Sequence, residues 1–233
     1  FPGPLRPVPV RLACPTNYGE TMKTVLKKLL ADVERYRVVR RDLFCQNLSD
    51  SQIKTLDRQL RYSKSLQTFY HGCGLSLMYQ RRRTTPAESL LATHVARYTF
   101  LHQETEHRRL LTKGELQTWF PALFRPGLPH GYFVDQSERR PSLGLLQVDT
   151  HLRDSRRIQA EFSEQIRRHC VAPGFQQLIE HGQFRLVLLV ASNAKANVIN
   201  AFSINSECPG VQCEAVAVPI LFDMQFGRTT QRT

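Results

Sequence analysis

Apolar and polar positions alternate along this chain with two periods, and the change of period divides it. Leu26, Leu29, Leu30 and Val33 fall at i, i+3, i+4 and i+7 with Lys23, Lys27 and Lys28 between them, the spacing of an amphipathic helix. A short second helix is expected over 40–45. Ser49 followed by Gln52 reads as a capping box, and Ile53, Leu56 and Leu60 form the apolar stripe of a third helix. Residues 66–70 and 75–79 then read as strands around His71-Gly72-Cys73-Gly74, a glycine-rich hairpin turn. Three helices followed by a hairpin predict an N-terminal winged helix-turn-helix. The Pro-rich, aperiodic residues 1–20 read as a flexible arm.

Thr85-Pro86-Ala87-Glu88 is a helix start, and Leu90, Leu91, Val95 and Phe100 continue it toward Gln103. Another helix is expected over 112–120, with Trp119 as a core or interface anchor. Beyond it the pattern becomes strand-like. A strand over 131–134, a polar turn and an antiparallel partner over 143–149 precede an Arg-rich helix over 153–170. The run 184–191 is almost wholly apolar, as a strand buried on both faces must be. A helix over 193–202 and a strand over 216–222 complete an α/β order, a mixed sheet flanked by helices. That is the order of restriction-endonuclease-like cores. The expected division is an arm at 1–20, the winged helix at 21–84, a helical connector at 85–120 and the α/β domain at 121–233.

Charge sharpens this division. The chain carries 32 Lys+Arg against 20 Asp+Glu, a net +12, an excess that normally means a polyanionic partner, either nucleic acid or an acidic membrane surface. Residues 1–110 hold 19 basic and 9 acidic groups, whereas residues 111–233 hold 13 and 11, so the positive field belongs to the first half. No apolar run reaches the ~18 residues of a membrane span, and no signal-peptide core is visible, so a cytoplasmic protein is expected. Six cysteines without a CxxC pair are expected as free thiols, with a Cys208–Cys213 bridge or half of a metal site at those two residues as the alternative.

The outward face of the third helix carries Gln52, Lys54, Thr55, Arg58, Gln59, Arg61 and Tyr62, and its Gln, Lys and Arg side chains can reach base edges in a major groove. Arg81-Arg82-Arg83 follows the hairpin, where it would lie along phosphates. Double-stranded DNA is therefore the expected partner. His94-Val95-Ala96-Arg97 matches the HxxR of tyrosine recombinases, with Tyr132 downstream, but a four-residue pattern arises readily by chance.

In the second half, alternation puts Gln147 and Asp149 on one face of their strand, and His130 precedes the neighbouring strand. A carboxylate beside an amide and an imidazole can hold a hard divalent cation, Mg2+ or Mn2+, at a phosphodiester. His130, Gln147 and Asp149 are the candidate catalytic and metal-binding set, with Asp135, Glu161 and Glu164 as nearby carboxylates. Tyr18 and Tyr132 are candidate covalent nucleophiles, although packing or phosphate contact is the commoner role for such residues.

Leu128-Pro129-His130-Gly131-Tyr132-Phe133 and Leu143-Gly144-Leu145-Leu146-Gln147-Val148-Asp149-Thr150, together with the long first helix and hairpin, resemble the replication-relaxation proteins, and within them the MobC-type plasmid mobilisation relaxases. The resemblance covers most of the chain. It implies a nuclease core of the PD-(D/E)xK type, binding at an origin of transfer and nicking of one strand to start conjugative transfer. It also implies a relaxosome accessory protein, a coupling protein and the bacterial cytoplasm. The chain departs from the wider group, which has Pro-Asp where Pro129-His130 stands and Glu-x-Asp where Gln147-Val148-Asp149 stands. No Lys follows an acid by two residues. The alternative expectation is a non-enzymatic replication initiator or transcriptional repressor whose second domain serves dimerisation.

Overall fold

A computed structural model describes residues 21–71, 74–80, 87–103, 107–125, 128–137, 141–150, 154–201 and 210–226. The arm with Tyr18, the triplet Arg81, Arg82 and Arg83, and Cys208 lie outside the described residues. The fold is mixed α+β, with a three-stranded and a five-stranded sheet.

The first sheet is antiparallel in the order β1-β3-β2, from Val38–Arg40, Ser76–Gln80 and Leu66–Tyr70. Around it stand α1 (Met22–Tyr36), α2 (Arg41–Phe44) and α3 (Asp50–Tyr62). The stripe of α1 differs from the expected one: Val25, Leu29, Val33 and Tyr36 are buried, and Leu30 is 44% exposed. The strand β1, directly before α2, is an addition to the expected order. The Ser49–Gln52 capping box forms, with Ser49 N–H donating to Gln52 Oε1 at 2.9 Å and Gln52 N–H to Ser49 Oγ at 3.3 Å. Leu56 and Leu60 seat α3 as expected, while Ile53 is half-buried.

The second sheet runs in the order β4-β5-β6-β7-β8, from Arg108–Leu110, Tyr132–Asp135, Ser142–Val148, Phe184–Val190 and Val211–Ala217. The first three strands are antiparallel and the last three parallel. Parallel pairing needs crossovers, supplied by α6 (Ser155–Cys170) and α7 (Pro173–Glu180) between β6 and β7, and by α8 (Asn193–Ala201) between β7 and β8. The expected strand over 216–222 is corrected: its first residues end β8, and Ile220–Phe226 is helix α9. β4 and α7 were not expected.

One face of this sheet, through Leu145, Leu186 and Leu188, packs with Phe162 of α6 and Phe175 of α7. The other face, through Phe133, Leu146, Val187 and Leu189, shares one continuous core with α1, α3 and the first sheet. The helix α4 (Glu88–His102) joins them, with Leu91, Ala92, Val95, Ala96, Tyr98, Phe100 and Leu101 all buried. An apolar surface on nearly every side is what a helix at the centre of a molecule needs. Charge fixes the same junction: Arg35 of α1 donates to both Glu115 oxygens, at 2.6 and 2.9 Å, and to the Leu110 carbonyl at 2.7 Å. Glu115 also closes the capping box of α5 (Lys113–Trp119) with Thr112, and Arg109 lies over the Trp119 ring, the anchor role expected of it. Burial works to raise the Glu115 carboxyl, but the hydrogen bonds from Arg35 and Thr112 hold it down at about 2.

The expectation of free thiols is corrected at one place. Cys170 is disulfide-bonded to a partner outside the described residues, whereas Cys45 and Cys213 are free, which removes the Cys208–Cys213 bridge.

Candidate nucleic-acid interface and sheet-end site

Lys54, Arg58 and Arg61 recur at i, i+4 and i+7 on α3, and all three are exposed, as is Gln59. Two other expected contacts are engaged within the helix: Gln52 Oε1 accepts from Ser49, and the Thr55 hydroxyl donates to the Ser51 carbonyl at 2.8 Å. Lys54, Arg58, Gln59 and Arg61 are therefore the side chains best placed to reach a partner. The helix is held at a fixed angle, because Arg41 of α2 grips Asp57 through Nε–Oδ1 at 3.1 Å and Nη2–Oδ2 at 2.7 Å. Tyr62 and Tyr70, 77% and 75% exposed, flank the same module with flat rings in solvent.

The second site lies at one end of the five-stranded sheet. The carboxyl ends of β6 and β7 meet there, the place where open α/β sheets receive ligands. Leu146 N–H donates to the Gly131 carbonyl at 2.9 Å, so the β5–β6 ladder reaches Gly131, and His130 is the exposed residue just beyond it. Gln147 stands opposite Leu188, one pair before the β6–β7 ladder ends at Val148 and Leu189, and is half-buried. Asp149 is 0% exposed; its N–H bonds the Leu189 carbonyl, and its Oδ2 accepts from Lys195 Nζ at 2.6 Å. Lys195 stands in the first turn of α8, three residues after Ser192, whose Oγ accepts the Lys195 N–H. Asp149 does not cap the next helix; Asp154 does that.

His130, Gln147 and Asp149 thus share one sheet end, as expected. They do not fit a hard dication. The single carboxylate is sealed from solvent and already neutralised by an ammonium group, and no group of three His, Cys, Asp or Glu gathers among the described residues. Asp135 belongs elsewhere. It lies at the opposite end of the sheet, bonded to Arg108 Nε and Arg185 Nη1, both at 2.9 Å. Glu161 and Glu164 pair with Arg157 and Arg168 along α6.

Tyr132 is corrected as a candidate nucleophile. Its ring is buried beside Phe175, and its hydroxyl meets His169 Nε2 at 2.9 Å inside the core. His169 Nδ1 faces the Gln165 carbonyl at 2.7 Å, so it carries the proton, and Nε2 accepts from the tyrosine. Burial pushes the tyrosine hydroxyl up and the imidazole down, which makes both neutral packing groups.

The residues that sequence reasoning missed are Lys195 and the packing of Arg97. Lys195 follows a strand–helix turn with no motif spacing to Asp149, so only the parallel crossover brings the two together. Arg97 of α4 donates from Nη2 to the His130 carbonyl at 2.8 Å. That approach requires Gly131, at φ +124°, because a Cβ there would stand 2.7 Å from the Leu146 carbonyl oxygen and 2.9 Å from Arg97 Nη2. Among the described residues no helix is long and apolar enough to cross a membrane. Comparison with protein-family models, with curated proteins and with solved structures finds no match.

Proposed function

We propose that this protein reads duplex DNA with a winged helix built from α1, β1, α2, α3 and the β2–β3 hairpin, and that it nicks one strand at an origin of transfer as a MobC-type mobilisation relaxase. The observation that supports binding is the exposed stripe of Lys54, Arg58 and Arg61 on a helix clamped by Arg41–Asp57. Guanidinium and ammonium groups so spaced engage phosphates and guanine edges in the major groove. Support for nicking is the strand order, three antiparallel strands continued by two parallel ones as in restriction-endonuclease-like cores, with His130, Gln147 and Asp149 at one end. In this reading Lys195 holds the Asp149 side chain in place, and Gln147 with His130 offers hydrogen bonds to the sugar-phosphate strand. An accessory protein and a coupling protein are the partners implied by the family likeness, and the bacterial cytoplasm is the compartment, against which the Cys170 disulfide weighs.

One observation favours a second reading, a non-enzymatic replication initiator or repressor whose five-stranded module serves dimerisation: Asp149 is fully buried in its ion pair with Lys195. Supercoiled plasmid carrying the cognate origin separates the two. Conversion to open circle, lost in Asp149→Ala while a gel shift persists, is the relaxase result. Binding without conversion selects the second reading, and absence of duplex binding sinks both.

A further inference from the structure

Among the described residues, every other partly buried arginine has a carboxylate. Arg35 and Arg109 share Glu115, Arg40 meets Asp42, Arg41 holds Asp57, and Arg108 and Arg185 share Asp135. Arg97 is the exception. Its guanidinium is held by one hydrogen bond, to the His130 carbonyl, and its Nε is enclosed without a partner. Burial alone pulls it down to about 10, with no acidic group acting on it. A cation set into protein without a counter-ion is costly unless something anionic completes it. Its neighbour one turn back, His94, is likewise without an acid: burial and the Arg97 charge push it down to about 4, so near neutrality it is an uncharged imidazole with hydrogen-bonding capacity. Arg97 is only partly covered, and it lies at the sheet end where His130 is exposed.

We propose that Arg97, assisted by His94, is an anion site of the five-stranded module that receives a backbone phosphate of bound DNA beside His130. This rests on the DNA-binding reading and gives that reading a second, sequence-independent contact, at the His130 end of the five-stranded sheet. Phosphate fits because a guanidinium can use its outer N–H groups on two non-bridging oxygens while Nη2 keeps the carbonyl bond. It would fix how the strand enters the sheet end, and it needs no base.

The test is the salt dependence of binding of the full chain to a random-sequence duplex. Each phosphate neutralised contributes about 0.9 to the slope of log affinity against log salt. Arg97→Met is expected to make that slope shallower by about one phosphate and to weaken binding about tenfold at moderate salt, while Arg97→Lys, which keeps the charge, restores the slope. The thermal midpoint of free Arg97→Met should hold or rise, because an uncompensated cation has gone. An unchanged slope in Arg97→Met, or a lowered slope that Arg97→Lys does not restore, overturns the anion site while leaving the α3 reading intact. If wild type shows no salt-dependent duplex binding, the site and the reading fall together. A lowered midpoint with unaltered binding would make Arg97 only a brace for His130.

Discussion

Single residues in this protein are set by what burial does to charge. His94 and His102 are both pushed down to about 4, chiefly by burial, and His169 is also lowered. An unfolded chain takes up protons on these groups near pH 6.5, whereas the folded chain resists until about pH 4, so stability is lost as pH falls through that window. The first two contribute at most about 3 kcal/mol each. Asp32 works the other way: burial raises its carboxyl to about 6, so the folded state holds a proton there that the unfolded state has released, offsetting about 3 kcal/mol. The histidines outnumber it. The thermal midpoint should therefore fall steadily between pH 6.5 and 4.5, and a flat or rising profile would contradict the assignment. The Asp149–Lys195 pair gives a second prediction. Removing one partner leaves a buried charge and should cost about 3–5 kcal/mol, whereas Asp149→Asn with Lys195→Met should cost clearly less than the sum of the singles. Denaturant titration of the four proteins measures the coupling, and additive losses would deny that the two groups act as a pair.

At the scale of elements, the stability of α3 is separable from its chemistry. Leu56 is 0% exposed, so Leu56→Ala should cost about 2–5 kcal/mol. Ser49→Ala, which opens the capping box, should cost about 1 kcal/mol. Arg58→Ala, in solvent, should stay within about 0.5 kcal/mol of wild type. A large loss from Arg58→Ala in thermal unfolding would place that face inside the molecule. What could be read from sequence followed the strength of each local signal. α3 and β7 were legible because a capped amphipathic stripe and an unbroken apolar run are strong patterns. β1 and β4 are three-residue strands, too short for alternation to register. β8 was misplaced because Gln212, Cys213 and Glu214 interrupt its apolar positions, while the apolar residues of 216–222 straddle a strand end and a helix start. The sheet end was half legible: alternation put Gln147 with Asp149, but Lys195 arrives through a crossover that no spacing encodes.

Across the whole molecule, α4 decides the behaviour. One core runs from Leu29 of α1 through Val95 of α4 to Leu189 of β7, and Arg35–Glu115 ties the same parts together. The modules should therefore unfold in one transition by circular dichroism and by the fluorescence of Trp119, and two separated transitions would show that the junction does not couple them. A rigid junction also fixes the distance between the α3 face and the His130 end, so on the proposed reading DNA held by one would be presented to the other in a single orientation. Everything functional then depends on whether α3 faces duplex DNA. The most direct measurement is fluorescence anisotropy of a labelled duplex carrying the cognate origin, titrated with wild type and with the folded Arg58→Ala/Arg61→Ala double variant. A loss of at least about tenfold in affinity, with loss of preference over random sequence, is the predicted result. Equal affinity and equal preference in the two proteins would contradict the account.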